Sequence, residues 1–597
     1  MRSLALSVLG CLTASIAACS SAADPAPAAP GSPAAPPEIT GPAPTSKTAP
    51  QLEPVACRFL VPRSVEGKAV RCADLAVPEN RRIAGGRTIT LHVAIVKGKD
   101  GGPRTLELNG GPGGGSDGVV GPLVAGDAAL LDLYAPILAQ GDVVFLDQRG
   151  TGRSLPRLGC DQASGEAPAA CAKRLGATGV DLAAYDTVEN ADDVHDLVVA
   201  LGRAPVDLHG ISYGTRLGVE VMKRHPDDVR ASILDGVLPP DVAVGGMFPV
   251  AIDGILTRVF TACAADAKCD AAYPDLDGAL GRLKTKLDAT PFKASDPEWG
   301  DYDYGWRDLV GEMQQRLYED GEAGALPLRI TSLLAFDQAG WDRDVARQQA
   351  EDDRQRKAQD DAAAKNPLLA ELFARYQKAS EEDYEAMGMA DGMYLSVTCN
   401  DYVQHESVDA ARAVLSGVRP VLADVSAAEQ EADACSSWPT RPSDARTREP
   451  ARFAGKALVI GGLLDPATPS TWAEHVAETL GDRTLVLVPD GAHGFMDECG
   501  SGLKGAFFAD PSAALDTSCA TKRTLAFPKA GAPAPGSSQI AARSSSRVPT
   551  ALVAQRPART LLERLEHRSL AELAARSHGS AVTLARAELA RARRTAR

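Results

Sequence analysis

Apolar positions along this chain recur with two different periods, and the change of period divides it into parts. Thr88-Ile-Thr-Leu-His-Val-Ala-Ile-Val96 alternates every second residue, as a half-buried strand does. Arg104-Thr-Leu-Glu-Leu108 predicts a second strand, and the apolar run Asp142-Val-Val-Phe-Leu146 a third, covered on both faces. Helical spacing of apolar residues covers Val188 to Leu201. A strand from Val206 and another over Ala231–Asp235 follow. From 241 to 447 the period is helical and the surface charged, as in Arg343 to Lys378, with no comparable series of strands. Strand patterns resume at Lys456–Ile460 and Arg483–Val488. Strands alternating with helices predict an α/β fold, a mostly parallel, doubly wound sheet. Its two parts, 54–240 and 448–527, are interrupted by an inserted, mainly helical cap, 241–447.

The ends read differently. Arg2 and the apolar run Leu4–Ala18 form a targeting segment too short to span a bilayer comfortably. It closes on Ile16-Ala-Ala-Cys19, which resembles a bacterial lipobox and predicts cleavage before Cys19 and lipidation of its thiol. The alternative is an ordinary signal peptide cut near Ala23. Either route exports the protein, and no other long apolar run suggests a membrane span. Residues 20–53 form a tether: nine prolines and nine alanines fall within 21–50, too little apolar bulk for a core. Residues 528–597 form an arginine-rich tail, with twelve arginines, four glutamates and no lysine between 540 and 597. The tail reads as a loosely ordered appendage, an out-of-frame extension, or a basic amphipathic helix for a membrane surface or partner.

Composition narrows the classes further. A net charge of −15 argues against nucleic acid as a partner. Twelve cysteines, less Cys11 and Cys19, leave ten that fall as near neighbours. In an oxidising compartment they are expected to pair as Cys57–Cys72, Cys160–Cys171, Cys263–Cys269, Cys399–Cys435 and Cys499–Cys519. With no C-x-x-C pair and no H-E-x-x-H, neither a metal nor another cofactor is expected.

The chemistry centres on Gly210-Ile-Ser212-Tyr-Gly214, a G-x-S-x-G between a strand and a helix. On such a turn Ser212 is pushed into the open, and the following helix N-terminus aims N–H groups at developing negative charge. A serine hydroxyl needs a base, and the base a carboxylate to fix its tautomer. Asp465 lies beyond the strand ending at Ile460, and His493 beyond the strand ending at Val488. The order Ser212, Asp465, His493 is that of the α/β-hydrolase triad. Other histidines fit worse: His209 is expected to be packed in its strand, His195, His225 and His475 lie in helical runs, and His405 in the insertion. The oxyanion hole is assigned to the N–H groups of Tyr213 and Gly111, the latter in Asn109-Gly-Gly-Pro-Gly. No Walker lysine follows that loop, so a phosphate cradle is a poor reading.

Asn109-Gly-Gly-Pro-Gly, Asp147-Gln-Arg-Gly-Thr-Gly-Arg-Ser, Gly210-Ile-Ser-Tyr-Gly, Leu464-Asp-Pro-Ala-Thr-Pro and Gly491-Ala-His-Gly occur in that order. Together they resemble the prolyl iminopeptidase and tripeptidyl aminopeptidase family of α/β-hydrolases over about residues 55–525. The later part resembles the tripeptidyl-aminopeptidase-type carboxy-terminal domain. Asn109, where prolyl iminopeptidases usually carry histidine, leans towards the tripeptidyl branch. The resemblance implies a serine aminopeptidase acting on peptides with a free amino terminus; with the targeting segment, which lies outside it, the reading is of an exported enzyme lipid-anchored through Cys19. It implies Asp401, in Cys399-Asn-Asp401, as a candidate for holding the substrate amine, the alternative being a surface acid beside a disulfide. Thr468 is expected to brace Asp465 or its loop, and Asp147 and Arg149 to hold their turn together. A carboxylesterase or lipase using the same triad is the competing enzyme reading, and a catalytically silent binding protein the non-enzymatic one.

Overall fold

The structure, a computed structural model, describes residues 49–528 except 162–164, 203–204, 243–246, 297–299, 406–408, 410–412, 414 and 426–427. The targeting segment with Cys19, most of the tether and the arginine-rich tail lie outside the described residues.

Eleven strands are described: β1 (Leu52–Val55), β2 (Val70–Pro78), β3 (Thr88–Val96), β4 (Thr105–Leu108), β5 (Val143–Leu146), β6 (Val206–Ile211), β7 (Val229–Asp235), β8 (Phe292–Asp296), β9 (Gly300–Tyr304), β10 (Lys456–Gly462) and β11 (Asp482–Val488). Nine form one sheet in the order β1-β2-β3-β5-β4-β6-β7-β10-β11. From β5 to β11 every neighbouring pair is parallel, whereas β1, β2 and β3 join antiparallel at one edge. The edge strands β1 and β2 were not anticipated. Asp74 falls on the parity of Val70 and Cys72 and so interrupts the alternation of β2, and Pro78 ends it. Asp74 is accommodated because the Arg58 guanidinium and His92 Nδ1 both reach it.

Alternation within the central strands supplies both faces of the core. Leu106, Val144, Leu208, Leu234 and Val459 pack on one side against Val194 and Leu197 of α4 (Thr187–Ala200) and Leu217 and Val221 of α5 (Tyr213–Arg224). Val143, Phe145, Ile233, Leu458 and Val486 point the other way, against Val120, Tyr134 and Phe507. These buried side chains each contribute about 1.5–3 kcal/mol relative to exposure, which is why the sheet is the rigid part. The active-site loops all leave the carboxyl ends of its parallel strands, where ligands bind in open α/β sheets.

Between β7 and β10 lies the cap, with its own core of Leu256, Val259, Leu283, Leu309, Leu333 and Trp341. It is mainly helical, yet it includes the β8–β9 hairpin, which the helical reading of 241–447 had left out. Helix Met247–Ala265 is long and apolar enough to cross a membrane, although no span was expected. Its Ile252, Leu256 and Val259 are buried in the cap core, the position of a soluble core helix. All five cysteine pairs expected from neighbour spacing are bonded, with Cα–Cα distances from 5.0 to 6.0 Å.

Candidate active site

Ser212 sits between the end of β6 and the first residue of α5 with φ 56° and ψ −126°. Among the described residues only Ser212 and Asp275 combine a side chain with positive φ. Such a conformation costs of order 1–3 kcal/mol and persists only where neighbours impose it. Here Ser212 N donates to Asp235 O at 3.1 Å, and Thr215 donates to Ser212 O through N (2.9 Å) and Oγ1 (2.6 Å). The flanking glycines are required by close backbone approach. A Cβ on Gly210 would come within 2.5 Å of Gly214 O, and one on Gly214 within 1.8 Å of Leu108 O.

The glycine-rich loop after β4 lies directly over the serine. A Cβ on Gly110 would stand 2.9 Å from Ser212 Cβ and 3.5 Å from its Oγ. The loop is closed by Asn109 Nδ2 donating to Ser116 Oγ and by Gln148 Nε2 donating to Asn109 O. Asp147 accepts from Ser116 N at 2.7 Å and from Arg153 N at 2.6 Å. Burial, reinforced by the charge of Asp117 and opposed by those donors, pushes the Asp147 carboxyl up to about 7. Arg149 is buried in a fork with Asp193 and donates to the carbonyls of Glu79 and Ala184. Both residues therefore hold the turn and, through Ser116, the loop. Among the described residues the N–H groups of Gly111 and Tyr213 have no backbone acceptor; Tyr213 follows Ser212 in the chain, and Gly111 follows Gly110, the glycine packed on Ser212. That pair of donors can receive an oxyanion.

The acid and the base meet on the neighbouring strand ends. His493 Nδ1 lies 3.0 and 2.9 Å from the two oxygens of Asp465. Asp465 also accepts from Ala467 N, Thr468 N and Thr468 Oγ1 at 2.8, 2.8 and 2.6 Å. Thr468 Oγ1 is 3.2 Å from His493 Nδ1, so Thr468 braces carboxylate and ring together. Burial disfavours a charged His493, but the charge and hydrogen bond of Asp465, with the charge of Asp235, outweigh it and hold the ring's pKa above its ordinary value. Ser212 Oγ and His493 Nε2 make no direct hydrogen bond. Both residues adjoin the end of β7: a Cβ on Gly236 would stand 3.2 Å from His493 Cε1, and Asp235, one residue before it, accepts Ser212 N on its carbonyl. Catalytic hydrogen bonds of this kind commonly tighten only when substrate is bound.

Several supports had no signal in the sequence. Tyr318, from the cap, lays its ring edge-on to His493 at 4.9 Å. Asp320, two residues on, accepts from Ala492 N at 2.9 Å and so fixes the loop carrying the base. On the other side Asp235 accepts from Phe495 N through both oxygens and pairs with Lys504 Nζ at 2.7 Å, both side chains being buried. Burial alone would raise the Asp235 carboxyl, but Lys504 holds it below the usual carboxylate range.

Asp401 is not at the mouth of the site. It is fully buried on a single π-helical turn, Thr398–Tyr402. Its Oδ2 accepts from Thr187 N (2.9 Å) and Thr187 Oγ1 (2.5 Å), and Thr187 Oγ1 in turn lies 3.0 Å from Tyr213 Oη. A carboxylate walled in this way cannot reach a substrate amine, so the placement implied by the family resemblance is corrected: from the cap, Asp401 braces the start of α4 and, through Thr187, Tyr213 of α5. Burial pushes its pKa up against the opposing charge of Arg216.

Among the described residues the other histidines are occupied elsewhere. His209 is buried against Glu107, and His475 pairs with Asp241. His195 pairs with Asp228 and His225 with Asp192. Among the described residues His195, His225 and Asp228 bring one ligand atom each within 4.8 Å, a cluster the sequence had not suggested. The two rings stack at 4.2 Å and 12°, and in-plane lone pairs of parallel rings do not converge on one ion. A second cluster, Cys160, Glu166 and Cys171, has its thiols tied up in a disulfide.

Residues 108–255 match the family model described as the alpha/beta hydrolase fold, and residues 419–519 the model described as TAP-like protein. A probable proline iminopeptidase from Streptomyces coelicolor is 27% identical over 161 residues, covering 27% of this chain and 45% of that protein. Serine protease Hip1 from Mycobacterium tuberculosis is 28% identical over 221 residues, 33% of this chain and 41% of that protein. The matched stretches thus span less than half the length of these relatives. Among solved structures, MGS-M2, an alpha/beta hydrolase enzyme from a deep-sea metagenome library, is 13% identical. It covers 72% of this chain and 96% of its own, with a TM-score of 0.30.

Proposed function

Because the chain is an α/β-hydrolase with a TAP-like carboxy-terminal part, we propose that it is an exported serine aminopeptidase. It releases tripeptides or single residues from the free amino termini of peptides. The observation that carries this reading is the Asp465–His493–Thr468 cluster, closed at 2.6–3.2 Å, on the strand ends beside a strained, glycine-flanked Ser212. The peptidase names of the two relatives support peptides as substrates.

In the proposed reaction His493 Nε2 takes the proton of Ser212 Oγ as the oxygen attacks the scissile carbonyl. The carbonyl oxygen becomes an oxyanion and accepts from the N–H groups of Gly111 and Tyr213. Asp465 holds Nδ1–H towards itself and stabilises the imidazolium. The C–N bond then breaks, the departing amine takes the proton from Nε2, and the acyl group stays on Ser212. Water, deprotonated by His493, attacks the ester and returns the serine. Export is supported by the five disulfides, which persist in oxidising compartments. Anchoring through Cys19 belongs to the same proposal, and release of a Cys19→Ser variant from membranes is its expected sign.

The test is turnover of peptides ending in a chromogenic amide, with free and with N-acetylated amino termini, beside short-chain esters. Products are identified by mass spectrometry, with Ser212→Ala as control. Cleavage confined to free amino termini, and lost in Ser212→Ala, is expected. Ester turnover with intact peptides would make the protein a carboxylesterase or lipase. No turnover and no labelling by a fluorophosphonate would make it a binding protein.

A further inference from the structure

Exposed large apolar side chains are few among the described residues, and two of them flank the same serine. Met389 is 46% and Met496 49% exposed, although the residues beside them, Ala390 and Phe495, are buried. Met389 belongs to the cap. Its backbone is pinned: Ala390 N donates to Gly113 O at 3.0 Å, and Arg157 Nη2 donates to Gly388 O and Met389 O. Its side chain is left over the oxyanion loop, where Cε would meet a Cβ on Gly111 at 3.0 Å. Met496 follows His493 by three residues. Its Cε would lie 3.6 Å from a Cβ on Gly494, which would itself touch Ile211 Cδ1 at 2.8 Å, one residue before Ser212. Tyr318, on the edge of the His493 ring, adds a third wall.

Met389 thus lies on the oxyanion loop, and Met496 and Tyr318 on the segment that carries His493, three side chains from three separate segments at one site. Both methionines are about half exposed. A lone exposed methionine needs no explanation, but two thioethers on opposite loops of one site are a different matter. Methionine is unbranched and polarisable, so it moulds to apolar groups of varied shape without fixing one.

We infer that Met389 and Met496, with Tyr318, form an apolar collar that selects substrates by a large apolar side chain on the residue donating its carbonyl to Ser212. This rests on the serine-hydrolase reading above and deepens it. Charged or short polar side chains at that residue lose hydration against the thioethers and gain no partner. The collar adapts rather than fits, so leucine, norleucine and phenylalanine are accepted alike.

The test uses the full chain and a series of free-amino-terminal peptide p-nitroanilides. The residue before the amide is norleucine, leucine, phenylalanine, serine, aspartate or lysine, and matching p-nitrophenyl esters serve if amides are not turned over. Apolar substrates are expected to be favoured by about tenfold or more in kcat/KM, the scale on which apolar pockets discriminate. Met389→Glu and Met496→Glu each reduce that ratio, lysine gaining most, while Met389→Leu and Met496→Leu restore most of it. Fluorophosphonate labelling of Ser212 in every variant reports an intact site. Full labelling with no preference in the wild-type protein, or a preference unmoved by both glutamates, overturns the collar alone. No labelling of the wild-type protein overturns the catalytic reading and the collar with it.

Discussion

The nucleophile and its base are held in contrasting ways. The serine side is shaped chiefly by close backbone approach and by bonds made between Asn109 and Leu238. Two glycines admit close approach, one carbonyl accepts Ser212 N, and Thr215 ties the turn to Leu238 N. The histidine side is held by side chains from far away. Asp320 reaches Ala492 across 172 residues of chain and Asp235 reaches Phe495 across 260, while Tyr318 comes from the cap. Steric necessity made of backbone tolerates no substitution, whereas side-chain supports yield by degrees. The serine side should therefore fail abruptly and the histidine side gradually.

The largest effect is expected on the serine side. Ser212→Gly removes the nucleophile and also the side chain that makes φ 56° costly. Turnover should fall by roughly a millionfold, while thermal unfolding moves upward by the equivalent of about 1 kcal/mol. An unchanged or lower melting temperature would show that the turn is not strained. Next comes Asp465→Asn, expected to lower kcat by about 10⁴-fold because the tautomer and the charge are both lost. Its pH profile sharpens the comparison. The base must be neutral, and in the native site His493 is raised, so activity climbs only as pH passes above its ordinary value. Without the Asp465 charge, burial is opposed only by Asp235 and the climb should move to lower pH. The sign for stability is the reverse: a raised histidine favours folding below its unfolded pKa, and this contribution is lost as pH rises through the folded value.

Smaller effects test the remote supports. Asp320→Ala frees Ala492 N and should cut kcat about tenfold with KM little changed, a split that separates misplaced base from lost binding. Asp401→Asn is expected to be milder still, lowering stability by about 1–2 kcal/mol. It should leave the preference for free over acetylated amino termini intact, because the carboxylate faces Thr187 and not the substrate. Collapse of that preference would return Asp401 to the role its motif suggested.

What could be read from the sequence follows the same division. The elbow, the oxyanion loop and the strand ends carrying Asp465 and His493 are local patterns, each complete within a few residues. The five disulfides join neighbouring cysteines along the chain, 6 to 36 residues apart. Strand β2 escaped because Asp74 breaks its alternation, and it does so to meet Arg58 and His92, which only the folded edge brings together. Tyr318, Asp320 and Lys504 escaped because nothing near them in the chain marks their partners. Asp401 shows a different limit: a motif says that a residue matters, not which way it faces. Its side chain turned out to point under α5 rather than into the cleft.

Asp235 receives Ser212 N on its carbonyl and Phe495 N on its carboxylate. One residue thus serves as the common datum from which nucleophile and base are both measured. For protein engineering this separates register from specificity. The cap could be exchanged for that of another member of the fold without resetting the spacing of serine and histidine. A graft would have to supply an acceptor for Ala492 N, an aromatic edge for His493, a carboxylate for Thr187, a donor for Gly113 O, and whatever collar suits the new substrate.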